Sequence, residues 1–169
     1  RVFGTSSTQR NIHSHYVGPG SHGWSDIRFR GRMMMTSAGS GLGVTIYSKY
    51  ADHDVYYRLR RDGRHAFHLA THPDDSIVLA GDTSTGVRPH PYVWYWFEVE
   101  VEELDTQTEI RAKVWPQGTA EPEDWQIKAQ HGGGARLMEG RIGLWTHSSG
   151  QKYWDDLVVE PLRQPSDGS

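Results

Sequence analysis

Apolar and polar residues alternate along two neighbouring stretches near the middle of the chain. The first places apolar residues at every second position and tryptophan or glutamate between them: Tyr95, Phe97, Val99 and Val101 against Trp94, Trp96, Glu98, Glu100 and Glu102. The second repeats the pattern with Ile110, Ala112 and Val114 against Arg111, Lys113 and Trp115. A period of two is typical of a strand with one buried face. The polar residues 105–108 between the stretches therefore predict a long antiparallel hairpin.

Similar patterns occur along most of the chain. Residues 27–35, 42–49, 140–146 and 152–160 read as strands, and Asp62-Gly63 predicts a hairpin that joins 55–61 to 64–70. Further strands are predicted at the apolar run 77–80 and at 125–130, and one helical turn is predicted at Pro122. Roughly ten strands without a long helix indicate an all-β, two-sheet antiparallel sandwich. We expect one domain over residues 1–161 and a tail or linker over 162–169.

Composition excludes several classes of protein. A net charge of -3 over 169 residues argues against a general nucleic-acid or membrane-surface binder. No apolar run is long enough to cross a bilayer. The chain has no cysteine, so it needs no oxidising compartment, and its 7 Trp, 8 Tyr and 19 Gly suit strands and turns. It begins at Arg1 without methionine, which suggests that a signal, a tag or a neighbouring domain has been trimmed away.

Several motifs together resemble a known family. They are Tyr56–Arg60 with Asp62-Gly63, the tryptophan-rich strand 94–101, the stretch from Ile110 to Trp125, Gly140–Trp145 and Trp154–Val159. This order, over roughly Trp24 to Pro161, resembles the laminin-G-like, concanavalin A-like jelly rolls of bacterial secreted carbohydrate-active proteins and phage tail proteins. The sharpest part is Lys113–Trp125. The resemblance implies two curved antiparallel sheets with a concave face, frequent glycan binding, and a secreted or virion-associated protein. It implies no particular reaction.

The outward residues of the hairpin form a candidate binding face. If Arg58 and Arg60 lie on the same sheet face, sugar rings could stack on indoles while cations hold carboxylate or sulfate groups. The candidate ligand-binding residues are Trp94, Trp96, Arg111, Lys113, Trp115, Arg58 and Arg60. The alternative is that Glu98, Glu100 and Glu102 pair with those cations across strands and leave none free.

A catalytic role is the second candidate. The strand from Glu98 to Glu102 resembles the Glu-x-Asp-x-Glu strand of retaining β-glucanases of the laminarinase and lichenase type, with Glu100 where aspartate is expected. The resemblance implies Glu98 as nucleophile and Glu102 as acid/base. Side chains four apart on a regular strand start about 13 Å apart, whereas a retaining pair needs about 5–5.5 Å, so the pair requires a bulge or an inward lean. A lyase could instead use Tyr57, His68 and Arg58.

Acids and histidines give the candidate metal ligands. Related jelly rolls hold a structural calcium ion with an aspartate of the last strand, which points to Asp155, with Asp156 beside it. The alternative is that this pair only makes backbone hydrogen bonds. His13 and His15 share one strand face, and His65, His68 and His72 cluster in sequence. A strand points His65 and His68 to opposite faces, which favours structural or exposed histidines.

These observations favour a non-catalytic, polysaccharide-binding module for targeting or adhesion, whose glycan could be anionic. We expect it to be part of a larger extracellular or virion-associated protein, with calcium as a structural ion. The alternatives are a glycoside hydrolase or polysaccharide lyase, and a structural spacer or assembly domain such as that of a phage appendage.

Overall fold

The computed structural model describes residues 2–75 and 79–162. Within these residues it contains one short 3-10 helix, Ser21–Gly23, and twelve strands. The strands are β1 (Phe3–Thr5), β2 (Ile12–His15), β3 (Ile27–Met35), β4 (Gly41–Ser48), β5 (Tyr56–Arg61), β6 (His68–His72), β7 (Ala80–Asp82), β8 (Tyr95–Glu103), β9 (Gln107–Pro116), β10 (Ile127–Gly132), β11 (Arg141–His147) and β12 (Lys152–Pro161).

The strands form two antiparallel sheets, which confirms the predicted all-β sandwich. One sheet has seven strands in the order β1-β12-β3-β8-β9-β10-β7, and the other has five in the order β2-β11-β4-β5-β6. The chain crosses repeatedly from one sheet to the other, so most neighbouring strands are distant in sequence. Periodicity cannot reveal this assignment of strands to sheets, because it depends on non-local pairing.

The central hairpin has the predicted register. Phe97 pairs with Val114, and Val101 pairs with Ile110, with these side chains fully buried. Glu98 lies opposite Lys113 on the outer side. Because alternation continues unbroken along β8 and β9, the hairpin supplies one wall of the core and one continuous polar face.

Polar contacts also join the sheets through the core. Trp154 of β12 donates its indole N–H to the carbonyl of Gly43 in β4 at 3.1 Å. The hydroxyl of Tyr57 in β5 lies 2.7 Å from Nδ1 of His131 in β10 and accepts a hydrogen bond from the backbone of Leu137. Since a buried polar group needs a partner, these contacts fix how the two sheets face each other.

Two local predictions differ from the structure, and two others are only partly covered by the described residues. The Asp62-Gly63 hairpin forms, but β6 begins only at His68, because Phe67 turns into the core and bonds residues 85–87 instead. No helical turn forms at Pro122. The predicted strand 77–80 and the predicted tail 162–169 lie largely outside the described residues, although Ala80 begins β7.

Candidate functional site

The outer face of the seven-stranded sheet, here called the ladder face, carries the tryptophans that the sequence predicted as ligand contacts. Trp96 lies opposite Trp115, and Glu100 lies opposite Arg111. Strand β3 adds Arg28, Arg30 and Arg32 beside β8, and alternation alone does not predict that these arginines lie on this face.

The charges of the ladder face are paired with one another. Nη1 of Arg30 lies 2.7 Å from Glu98, and Nη2 of Arg28 lies 2.6 Å from Glu100, which Arg111 also contacts at 2.9 Å. The glutamates are only 6% exposed. This arrangement is the ion-pair ladder considered as the alternative to binding.

The indoles of the ladder face are covered by the protein's own side chains. The guanidinium of Arg30 lies 5.4 Å from the Trp115 ring, and that of Arg32 lies 4.8 Å from the Trp94 ring. Glu121, from the loop after β9, reaches back to Arg30 and Lys113. Trp115 is 5% exposed, so a sugar ring could stack on it only after these side chains moved.

The proposed carboxylate pair also lies on the ladder face. Pairing of β8 is regular with β9 from Glu98 to Glu102 and with β3 from Glu98 to Val101, without the bulge that a retaining pair would require. Glu98 is moreover bound by Arg30. The strand therefore supports an ion-pair ladder better than a catalytic dyad.

Arg58 and Arg60 do not join this face, which corrects the prediction that they share it with the tryptophans. Strand β5 belongs to the five-stranded sheet, so both arginines lie on the opposite side of the sandwich. The error arose because alternation identifies inward and outward positions but not the sheet to which a strand belongs.

The outer face of the five-stranded sheet, here called the arginine face, has a floor of buried polar and aromatic side chains. Arg58 is 4% exposed and Arg60 is 7% exposed. Their guanidiniums lie 5.2 and 5.1 Å from the ring of Trp145 in β11. Gly43 sits between Trp145 and Arg60 in the strand order, and its lack of a side chain lets the indole reach the arginines.

Two aspartates balance the arginines. Asp75, from the loop after β6, places one carboxylate oxygen 2.6 Å from Arg58 and the other 2.8 Å from Arg60. Burial raises the pKa of Asp75, but the hydrogen bonds and charges of both arginines outweigh it, so this pKa falls below its ordinary value. Burial also raises the pKa of Asp62, but the contact with His147 outweighs burial, so this pKa too falls below its ordinary value.

Asn11 joins the aromatic part of the floor. Its side-chain oxygen accepts hydrogen bonds from the indole of Trp145 at 2.7 Å and from the hydroxyl of Tyr56 at 3.1 Å. The amide NH₂ group consequently points away from these two donors. Tyr56 stacks on His72 with the ring centroids 4.6 Å apart, and a cavity of about 370 Å³ opens between Asn11 and Arg60.

Histidines form the rim beside β2. His13 and His15 share one face, as predicted, with ring nitrogens 3.0 Å apart, and Tyr50 packs on both rings. Asp54 lies 3.6 Å from His13 and 3.0 Å from His72. Burial, followed by the charge of His13, lowers the pKa of His15 to about 4, so its ring is neutral at pH 7.

The alternative lyase set is divided by the strand register. Arg58 and His68 lie on the arginine face, whereas Tyr57 points into the core and bonds His131. Neighbouring positions on a strand face opposite ways, so Tyr57 cannot act beside Arg58 without a rearrangement of β5.

The candidate calcium ligands contact a cation of the ladder face. Oδ2 of Asp155 and Oδ2 of Asp156 each lie 2.9 Å from Arg32, where a bulge interrupts the pairing of β12 with β3. Among residues 2–75 and 79–162, no three or more His, Cys, Asp or Glu side chains are grouped so as to hold a metal ion. Calcium is also coordinated by backbone carbonyl oxygens, which lie outside this grouping of side chains. Calcium binding at Asp155 therefore stays a prediction.

Comparison with solved structures identifies the architecture. The carbohydrate-binding module CBM66 from Bacillus subtilis superposes with a TM-score of 0.63 at 14% identity, over 91% of this chain and 84% of that one. The fold is a jelly roll. The galectin LEC-6 of Caenorhabditis elegans matches less closely, with a TM-score of 0.48 at 14% identity over 94% and 95% of the two chains. No protein-family model and no curated protein matches the sequence.

At these identities the likeness establishes the jelly-roll fold alone. Within the described part of this jelly roll, no helix has the length and apolar character required to span a membrane.

Sequence reasoning missed three residues of the arginine face: Asn11, Asp75 and Trp145. A signal existed for Trp145, because Ile142 and Leu144 point inward and alternation places residue 145 outward. Asn11 and Asp75 lie in loops, where periodicity carries no information.

Proposed function

We propose that this jelly roll is a non-catalytic carbohydrate-binding module that holds a polysaccharide on the arginine face. The observation that carries the proposal is the buried, prebuilt floor of Arg58, Arg60 and Trp145. Burying guanidinium groups costs free energy, and a solvated strand face would leave them in water. Polar groups held rigidly before a ligand arrives are typical of binding sites.

The chemistry of the floor suits sugar hydroxyls. Guanidinium groups and the amide of Asn11 donate hydrogen bonds in fixed directions, and the carboxylate of Asp62 accepts them. Tyr50, which is 39% exposed, offers aromatic surface at the rim. The fold shared with a carbohydrate-binding module is consistent with this use of the face.

Binding is favoured over hydrolysis because neither acid that contacts the arginines, Asp62 or Asp75, has a raised pKa. Glycoside hydrolysis by a carboxyl pair needs one protonated acid near neutral pH. The pKa values of Asp62 and Asp75 are instead lowered, since their cationic partners outweigh the effect of burial. Neither carboxyl group is suited to donate a proton to a leaving group.

The proposal extends to the setting predicted from the sequence: an extracellular or virion-associated module of a larger protein, related to laminin-G-like domains. A spacer or assembly domain is the main alternative. It would not require buried guanidiniums on an outer face.

A glycan array combined with a reducing-sugar assay tests the proposal. We expect binding without release of reducing ends, and Arg58→Gln should weaken it at least about tenfold if one charge-assisted contact is lost. Arg28→Gln is the matched control, because it removes the same charge from the ladder face. Released reducing ends would establish an enzyme, and absence of binding to every glycan would favour a spacer.

A further inference from the structure

We infer that Arg58 and Arg60 form a binding site for the carboxylate of an acidic sugar, and that Asp75 fills this site while no glycan is bound. The inference rests on the proposed function and names its ligand class. The ligand would be a polysaccharide that contains uronic acid residues or another carboxylated sugar.

The geometry of Asp75 shows which kind of group the two arginines bind. The two oxygens of one carboxylate are shared between two guanidiniums, Oδ1 with Arg58 at 2.6 Å and Oδ2 with Arg60 at 2.8 Å. A uronate presents the same planar group with the same spacing of oxygens. Guanidinium nitrogens in a fixed array are suited to such planar, two-point recognition.

The two sides of this contact are unequally fixed. The side chains of Arg58 and Arg60 are 5% and 9% exposed and pack on Trp145, whereas the Asp75 side chain is 50% exposed. The arginines thus belong to the floor, and the carboxylate reaches them from a loop. On leaving, Asp75 would return to water with little loss of burial.

The local charges agree with a ligand that brings one negative charge to this site. Arg58 and Arg60 face Asp75 and Asp62, the latter 3.3 Å from Arg60. Without Asp75, the group carries one positive charge in excess. An anionic sugar would restore the balance that the loop carboxylate provides in the free protein, whereas a neutral sugar would not.

The test is isothermal titration with a panel of uronic acid oligomers and the same oligomers after reduction of their carboxyl groups. Asp75→Asn removes the internal competitor. If Asp75 occupies the site about nine tenths of the time, the variant should bind the acidic oligomers about tenfold more tightly. The reduced oligomers should show no gain.

Asp82→Asn is the matched control. Asp82 is exposed on β7 at the edge of the other sheet, so it changes the net charge equally without touching the arginines. It should bind as the wild type does. A gain equal to that of Asp75→Asn would show that the effect is one of overall charge and would overturn the inference.

Two further results would also overturn it. In the first, wild type, Asp75→Asn and Asp75→Ser bind all acidic oligomers with the same affinity, and neutral glycans still bind. The proposed function would then stand without this ligand class. The other is loss of folding in both Asp75 variants, since a displaceable loop carboxylate must be dispensable for the fold. Absence of binding to every glycan, acidic or reduced, would instead refute the proposed function itself.

Discussion

His15, at the rim of the arginine face, should make the stability of the protein depend on pH. Its ordinary pKa is 6.5, and burial followed by the charge of His13 lowers it to about 4 in the folded chain. The unfolded chain therefore takes up this proton first as the pH falls. Stability contributed by the neutral ring is fully present above about pH 6.5 and is lost as the pH falls towards 4.

The magnitude follows from these two values. Between pH 7 and pH 5, these two pKa values correspond to a loss of about 1.8 kcal/mol in the free energy of unfolding from His15 alone. Because the ring is partly exposed, solvent screening should reduce this to about 1 kcal/mol. The acids with lowered pKa, such as Asp62 and Asp75, contribute mainly below their ordinary values near 4 and interfere little in this range.

Urea unfolding followed by tryptophan fluorescence at pH 7 and pH 5 measures the effect. Between the two pH values, the free energy of unfolding should fall by about 1 kcal/mol more in the wild type than in His15→Gln. His65→Gln, in an exposed turn, is the control and should behave as wild type. Equal losses in wild type and His15→Gln would refute the reasoning, because the pH dependence would then come from other groups.

Four further outcomes are expected. Gly43→Ala should destabilise the fold by at least about 2 kcal/mol in urea unfolding, because a Cβ there would lie 2.3 Å from the carbonyl of Leu59. Arg30→Ala should cost about 1–3 kcal/mol by the same assay, since it leaves the buried Glu98 without its nearest partner. Calcium should raise the melting temperature and a chelator should lower it; an unchanged curve in chelator, starting from calcium-saturated protein, would exclude the Asp155 site. Trp96→Ala should leave glycan binding intact in titration, and a loss there without one in Arg58→Gln would restore the ladder face as the site.

The sequence predicted those parts of the fold that alternate regularly. The hairpin of β8 and β9 could be predicted residue by residue, because one buried face imposes a period of two on both strands. Part of the ladder could be anticipated for the same reason, since Glu100 and Arg111 had to meet across that hairpin. The pairs with Arg28 and Arg30 depend on the distant strand β3, and alternation could not predict them.

The candidate site was beyond this reasoning because it depends on distant pairing. Trp145 meets Arg60 only because β11 pairs with β4 beside β5, although β11 is distant in sequence from both strands. Asp75 reaches the arginines from a loop with no repeating pattern. A site that combines distant strands with a loop in this way can be found only once the sheet order is known.

The order of the strands also constrains how the protein folds. Strand β1 pairs with β12, and β2 pairs with β11, so both outermost N-terminal strands close against the last two strands of the described chain. Such closure joins segments more than a hundred residues apart and lowers the folding rate. During synthesis, neither sheet can be completed before β11 and β12 have left the ribosome. The rim of the arginine face, which includes β2, would thus be among the last parts to assemble.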